Sequence, residues 1–238
     1  MSSNGSGFSA DEMMAVEAAR RLRDRTVCFV GIGLPSLAAN LARHTHAPET
    51  VLIYESGTIG AKPTELPLSI GDGELADTAD AVVAVPEMFA YWLQGGRIDV
   101  GFLGAAQNDR HGNLNSTVIG DYDKPKVRLP GGGGAPEIAL GVDEVFVMLR
   151  HSKRAFVERL DFVTSLGDSV RTVITDLGIL EPREGELTLV ATHAGVTVED
   201  VTGATGWELR VADDVRGTEP PSADELTALR ALRTKGRD

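Results

Sequence analysis

Val27-Cys28-Phe29-Val30-Gly31-Ile32-Gly33-Leu34-Pro35 passes from a short apolar run through a glycine turn to a proline placed for the first turn of a helix. Leu37, Ala38, Leu41 and Ala42 then recur at helical spacing, and Val51-Leu52-Ile53-Tyr54 is a second apolar run. Strand, glycine turn, helix, strand is a βαβ unit, whose two strands run parallel. The second strand stops at Glu55-Ser56-Gly57, where turn residues take over and one carboxylate is delivered to the strand's carboxyl end. In open α/β sheets that edge is where ligands bind.

Outward from this unit the alternation continues. Ser9-Ala10-Asp11-Glu12 reads as a capping box that opens an amphipathic helix closing near Asp24 and Arg25. Pro63, Pro67, Gly71 and Gly73 make residues 61–73 a long irregular loop. Strands are predicted at 81–85 and 98–103 with a helix at 86–94 between them, and residues 107–123 read as turns with a short hairpin. A strand at 126–129 meets Pro130-Gly131-Gly132-Gly133-Gly134, before a helix at 135–140 and a strand at 144–149. The last third is strand-rich (156–163, 170–175, 187–191, 207–211) and ends in a polar helix at 222–233. The expectation is an α/β fold: one domain over residues 1–238, with an open, mostly parallel sheet, helices on both faces and a strand-rich C-terminal third.

Composition narrows the partners. The 35 acidic and 23 basic residues leave a formal charge of −12, which repels phosphate backbones and anionic membranes, so neither nucleic acid nor membrane is expected. No apolar run reaches the length of a membrane span, and residues 2–7 have neither a basic nor a hydrophobic region, so cytoplasmic residence is the default. The single Cys28 lies in an apolar run and reads as a small buried hydrophobe. No metal site is expected, because His44 and His46 have no further ligand set around them.

Three features compete for chemistry. Gly31-Ile32-Gly33 followed after 22 residues by Glu55 imitates a dinucleotide fingerprint, but Ser36 stands where its third glycine belongs and Pro35 removes a backbone donor. Four successive glycines, Gly131 to Gly134, between a strand and a helix expose N–H groups suited to an anion or an oxyanion. Glu55 itself is open to three readings: a solvated turn acid, a ribose ligand, or a nucleophile that forms an acyl intermediate. Lys62, Lys124, Lys126 and Arg128 are local positive charges, free to meet a phosphate or carboxylate or to balance neighbouring acids.

Taken together, Gly31-Ile32-Gly33-Leu34-Pro35, Glu55-Ser56-Gly57, Gly104-Ala105-Ala106-Gln107, residues Asn115 to Tyr122 and Pro130 to Glu137 resemble the β subunits of family I CoA-transferases, on the glutaconate CoA-transferase branch. The resemblance implies transfer of CoA from succinyl-CoA to a 3-oxo dicarboxylic acid, 3-oxoadipate, in the β-ketoadipate route of aromatic degradation. In that reading Glu55 is the catalytic nucleophile. Gly31, Ile32 and Gly33 with Gly131, Gly132, Gly133 and Gly134 are oxyanion and CoA-binding candidates, and Ser56, Gly57, Gln107 and Asn115 lie near the substrate. No cofactor is permanently bound, since the CoA thioester is the substrate, and the partner is an α subunit in a heterodimer or larger α/β oligomer. One departure is visible: only five residues separate Gly167 from Val173, where members of that branch carry a longer insertion. Three alternatives share the fold: a CoA-transferase for another dicarboxylic or 3-oxo acid, a CoA-thioester ring-opening hydrolase whose relatives lack the glutamate, and a non-catalytic ligand-binding module.

Overall fold

The computed structural model describes residues 7–234; the polar run at residues 2–6 lies outside them. The backbone gathers into two compact units. Among the described residues the first comprises 7–102, Gly141–Asp143 and 220–234, the second Leu103–Leu140 and Glu144–Glu219.

In the first unit, α1 (Ala10–Arg21) starts with the expected capping box: the Glu12 N–H donates to Ser9 Oγ at 3.2 Å, and the Ser9 N–H donates to the Glu12 carboxylate at 2.7 Å. The βαβ unit follows as β1 (Val27–Phe29), α2 (Leu34–His44) and β2 (Val51–Ile53), with β1 and β2 parallel and Phe29 opposite Ile53. Next come β3 (Thr58–Ile59), α3 (Gly73–Asp77), β4 (Ala81–Val82), α4 (Val85–Glu87) and β5 (Val100–Leu103). β5 pairs parallel with β1, while β2, β3 and β4 pair antiparallel in that order. Cys28, Leu52 and Ile53 are buried at the centre, and burial pushes the Cys28 thiol above its ordinary range.

Two predictions in this stretch change form. The strand expected at 81–85 keeps only Ala81 and Val82, both exposed. The helix expected at 86–94 begins as α4 and widens into a π-helical turn at Met88–Leu93, carried by i+5 bonds such as Gln94 N–H to the Phe89 carbonyl at 2.9 Å. In the irregular loop the Glu74 carboxylate accepts from the Thr64 N–H at 2.6 Å and the Thr64 hydroxyl at 2.9 Å, and the Asp72 carboxylate accepts from the Leu68 N–H at 3.1 Å.

The second unit contains the hairpin β6 (Gln107–Asn108) and β7 (Leu114–Asn115), then a two-stranded ribbon, β8 (Val118–Gly120) and β9 (Pro125–Arg128). α5 (Ala135–Gly141) follows, then β10 (Glu144–Met148), β11 (Val170–Ile174), β12 (Gly178–Arg183), β13 (Glu186–Thr192), α6 (Val198–Gly203) and β14 (Arg210–Gly217). β10 and β11 run parallel, β11 to β13 antiparallel, and β13 and β14 parallel. The C-terminal helix α7 (Ala223–Thr234) belongs to the first unit and packs on α1 and α2, with Arg20 on Glu225 at 2.8 Å and Arg230 on Glu12 at 2.8 Å.

The departures here have physical causes. The strand predicted at 126–129 is not a member of the parallel sheet; it is β9, in a separate ribbon with β8. Lys126, Val127 and Arg128 are all exposed, and a strand charged in this way does not fit between two others with both faces buried. No strand forms at 156–163, where Glu158, Arg159 and Asp161 interrupt the apolar run; Phe156 alone is a fully buried anchor bridged to Asn108. β12 is hidden from a sequence reading because Pro182 and Gly185 look like a turn. Its hairpin to β13 turns at Glu184 and Gly185, whose φ angles of 52° and 82° suit the primed turns that match strand twist. α6 is a further element beyond the sequence expectation, although Thr197 and Asp200 form a capping box at its start. The short connection after Gly167 is seated closely: the Gly167 N–H donates to Asn113 Oδ1 at 2.9 Å, and any side chain at Gly167 would strike the His111 carbonyl.

His151 anchors this unit. Its ring stacks on Phe156 at 3.9 Å between centroids, and its Nε2 lies 2.9 Å from Thr205 Oγ1. The Thr205 hydroxyl donates to the Val201 carbonyl, so it accepts from the His151 Nε2–H. Burial lowers the His151 pKa from its ordinary 6.5 to about 4, against a smaller opposing pull from Asp176. A depressed folded-state pKa favours the neutral ring, so this stabilisation is complete above pH 6.5 and is lost as pH falls toward 4. Its size is on the order of 3 kcal/mol. Denaturant unfolding of the wild type and His151→Phe between pH 7 and 4 is expected to show a steeper stability loss in the wild type; parallel curves would refute the assignment.

Candidate active site

Glu55 stands at the tip of a three-residue hairpin loop. Tyr54 and Thr58 close the loop, with the Tyr54 N–H donating to the Thr58 carbonyl at 3.1 Å and the Gly57 N–H to the Tyr54 carbonyl at 2.9 Å. Glu55 and Ser56 keep negative φ and Gly57 takes φ 101°, the pattern of a turn followed by a glycine bulge. Gly57 is demanded twice, because a Cβ there would also overlap the Val83 carbonyl oxygen, and the Val83 N–H donates to the Gly57 carbonyl at 2.9 Å. The carboxylate is therefore presented, half-buried, on a backbone pinned from two sides.

The stem below it is equally constrained. Tyr54 is fully buried, and its hydroxyl lies 3.0 Å from Ser36 Oγ and 3.5 Å from Asn40 Nδ2, both on α2. Burial raises the Tyr54 pKa, with the Ser36 and Asn40 hydrogen bonds pulling the other way. Asn40 also donates to the Ser36 carbonyl at 2.9 Å. Sequence reading missed these three residues. The available signal was two polar residues four apart within an otherwise apolar helical stripe, Leu37, Ala38, Leu41 and Ala42, which demands an internal partner.

Beside the hairpin, strand β1 extends by one residue, the Val30 N–H donating to the Ile53 carbonyl at 2.8 Å, and then turns through Gly31, Ile32 and Gly33 into α2. Gly33 is the N-cap with φ 85°, and no side chain caps this end. β1 and β2 are parallel neighbours, so the glycine turn and Glu55 leave the sheet at the same end. Ser56 Oγ is buried with no hydrogen-bond partner among the described residues, and it sits next to the acid. Here Gly31, Ile32, Gly33, Glu55, Ser56 and Gly57 are brought together.

The other expected site residues form a cluster of their own in the second unit. Asn115 Nδ2 donates to Gln107 Oε1 at 2.9 Å and to the Val118 carbonyl at 2.7 Å, while its Oδ1 accepts from the Thr117 and Val118 N–H groups. Both polar ends of Asn115 are thus occupied in shaping the turn between β7 and β8. The Gly131 N–H donates to the Ser116 carbonyl at 2.8 Å, and the Ala135 N–H donates to the Gly132 carbonyl at 2.9 Å. Gly131 takes φ 104° and Gly133 φ 51°, conformations that explain glycine at these two positions on backbone grounds alone. Among the described residues no cluster of three or more His, Cys, Asp or Glu side chains has the grouping of a metal site, and no helix is long and apolar enough to cross a membrane.

A carboxylate on a rigid tip beside a glycine turn suits covalent acyl chemistry. The Coenzyme A transferase family profile matches residues 11–204. The chain belongs to the coenzyme A transferase family. It is 59% identical over 247 aligned residues to a 3-oxoadipate CoA-transferase subunit of Pseudomonas knackmussii, covering 97% of this chain and 95% of that one. Among solved structures, glutaconate coenzyme A-transferase of Acidaminococcus fermentans matches with a TM-score of 0.90 at 31% identity, over 98% of this chain and 97% of that one. The decarboxylase AibA/AibB matches with a TM-score of 0.88 at 29% identity, over 96% of each chain. The coenzyme A transferase fold thus hosts more than one reaction, and the chemistry has to be argued from the site.

Proposed function

We propose that this chain is the β subunit of a CoA-transferase that moves CoA from succinyl-CoA to 3-oxoadipate, with Glu55 as the nucleophile. The observation that carries the reading is the placement of Glu55 on the glycine-locked hairpin, next to the Gly31 to Gly33 turn. The acceptor rests on the 59% identity to a subunit of a 3-oxoadipate CoA-transferase.

The Glu55 carboxylate attacks the thioester carbonyl of succinyl-CoA, the C–S bond breaks, and CoA leaves as the thiolate from a mixed anhydride. The thiolate then attacks the glutamyl carbonyl, releasing succinate and leaving a glutamyl-CoA thioester. The acceptor carboxylate attacks that thioester, freeing the thiolate and forming a second anhydride. Attack of the thiolate on the acceptor's acyl carbon gives the new CoA thioester and restores Glu55. Each step places negative charge on a carbonyl oxygen, for which preorganised N–H donors are the efficient stabiliser. The Gly31 to Gly33 turn and the Ser56 hydroxyl, in the same unit as Glu55, are assigned that role. An α subunit completes the site in this reading, which needs no permanently bound cofactor and places the complex in the cytoplasm.

The test uses the complex of this chain with its partner subunit. After incubation with succinyl-CoA, borohydride or hydroxylamine should modify Glu55, seen as a mass change in its peptide, and added 3-oxoadipate should discharge the adduct before trapping. An active complex that leaves Glu55 unmodified would sink the covalent mechanism. Discharge by other dicarboxylic acids but not by 3-oxoadipate would sink the acceptor.

A further inference from the structure

The polar contact below Glu55 is more than burial of that hairpin requires. Tyr54 on the hairpin and Ser36 and Asn40 on α2 are each no more than 1% exposed, yet all three are polar. A phenylalanine and an alanine would fill the same space, and replacing both partners of a buried hydrogen bond by apolar groups of similar shape is often nearly neutral for stability. What a hydrogen-bonded set adds is direction. Apolar packing is non-directional and tolerates sliding, whereas a hydrogen bond weakens steeply once its distance or angle leaves a narrow range.

The positions of the three residues say what is being aligned. The backbone of Tyr54 closes the loop that carries Glu55, through its N–H to the Thr58 carbonyl and its carbonyl to the Gly57 N–H. Its hydroxyl reaches across to Ser36, the third residue of α2, at 3.0 Å. One turn further along, Asn40 places the Nδ2 that donates to the Ser36 carbonyl 3.4 Å from Ser36 Oγ and 3.5 Å from the Tyr54 hydroxyl. α2 in turn begins at the Gly33 cap, where the Leu37 N–H donates to the Gly33 carbonyl at 3.0 Å. A single side chain therefore joins the residue before Glu55 to the first turn of the helix that Gly31 to Gly33 lead into. All of these residues belong to the first compact unit.

We infer that Tyr54 is a positioning residue, which through Ser36 and Asn40 fixes the separation of the Glu55 carboxylate from the N–H groups of the Gly31 to Gly33 turn. This rests on the transferase reading of the chain and adds to it the element that sets the geometry of attack. A thioester carbon has to sit about 3–3.5 Å from the attacking oxygen while its carbonyl oxygen sits about 2.7–3.1 Å from the N–H donors. Different segments make those two contacts, so a slide of the hairpin along α2 spoils one of them even when both segments stay folded. The Tyr54 hydroxyl is itself buried against α2, so its loss falls on the rate of attack and leaves donor binding alone.

The experiment measures, in the complex with its partner subunit, the single-turnover rate at which succinyl-CoA modifies Glu55, alongside kcat, KM and Tm. In Tyr54→Phe the adduct rate and kcat should fall on the order of tenfold, with the KM for succinyl-CoA within about twofold of wild type. Tm should drop by roughly 3–8 °C, because Ser36 Oγ loses its Tyr54 partner. The double variant Y54F/S36A separates position from stability. It removes both hydroxyls, while Asn40 keeps the Ser36 backbone carbonyl as its acceptor. Tm should return most of the way to wild type, and the adduct rate should stay low. An adduct rate that recovered together with Tm would show that the hydroxyls serve folding alone and would overturn the inference. A wild-type rate in Tyr54→Phe, or a loss confined to KM, would overturn it equally. Should Tyr54→Phe fail to fold, the adduct rate of Y54F/S36A against the wild type decides the same point. A wild-type complex that turned over without a Glu55 adduct would instead sink the transferase mechanism, and the positioning role with it.

Discussion

Replacing Glu55 by aspartate is expected to lower kcat on the order of 100-fold while leaving the KM for the acyl-CoA donor nearly unchanged. The hairpin tip is rigid: Tyr54 is buried below it, Gly57 is locked by φ 101° and by the Val83 carbonyl, and the loop is closed by two backbone hydrogen bonds. The backbone cannot advance to compensate for a missing methylene, so the carboxylate withdraws by roughly 1 Å from the thioester carbon. A 100-fold loss corresponds to about 2.7 kcal/mol of transition-state stabilisation. Glu55→Ala removes the nucleophile altogether and should cost at least about four orders of magnitude. Steady-state kinetics of both variants, in the assembled complex, check this. Full activity in Glu55→Ala would show that the acid is a turn residue and nothing more.

Gly57→Ala should destabilise the first unit by roughly 2–4 kcal/mol and take activity with it. Two costs add at this position. An L residue at φ 101° is strained, and the new Cβ must displace the Val83 carbonyl, disturbing the pairing of Val83 with Gly57. Gly33→Ala is the control, since Gly33 has a comparable φ of 85° but nothing within 4 Å of an added Cβ. It should lose roughly 1–3 kcal/mol from backbone strain alone, since φ 85° with ψ −131° is a glycine conformation. Thermal melts of both variants beside the wild type would decide the matter, with an expected fall in Tm of about 5–15 °C for Gly57→Ala. Equal melting of the two variants would mean that the Val83 contact yields easily.

Legibility in the sequence followed the range of the interaction. The capping box at Ser9 and Glu12, the βαβ unit through Gly31 and Gly33, and the turn after Ile53 were readable because each is set by residues within a few positions of one another. The strand at 126–129 was legible as a strand, but not its partner, because pairing is settled between distant segments. The run at 156–163 misled for a related reason: Phe156 is apolar because it is a core anchor, and one anchor does not make a ladder. Of the candidate site, the nearness of Glu55 to the Gly31 to Gly33 turn was readable from the βαβ unit. The Ser36 and Asn40 contacts to the Tyr54 hydroxyl were not, since nothing local says which side chain a buried helix face will meet.

By itself, the chain's order of residues determined the parallel βαβ core, the strand end at which Glu55 emerges, and a net negative charge. These follow from periodicity, turn chemistry and charge, which act over short stretches or over the composition as a whole. Only the tertiary structure decided that Glu55 rides a hairpin locked by Val83, that Tyr54 is tied to α2, and that Lys126 and Arg128 line an exposed ribbon outside the parallel sheet. Each of those depends on which distant backbone or side chain comes to lie alongside, a choice made when the apolar faces are buried together.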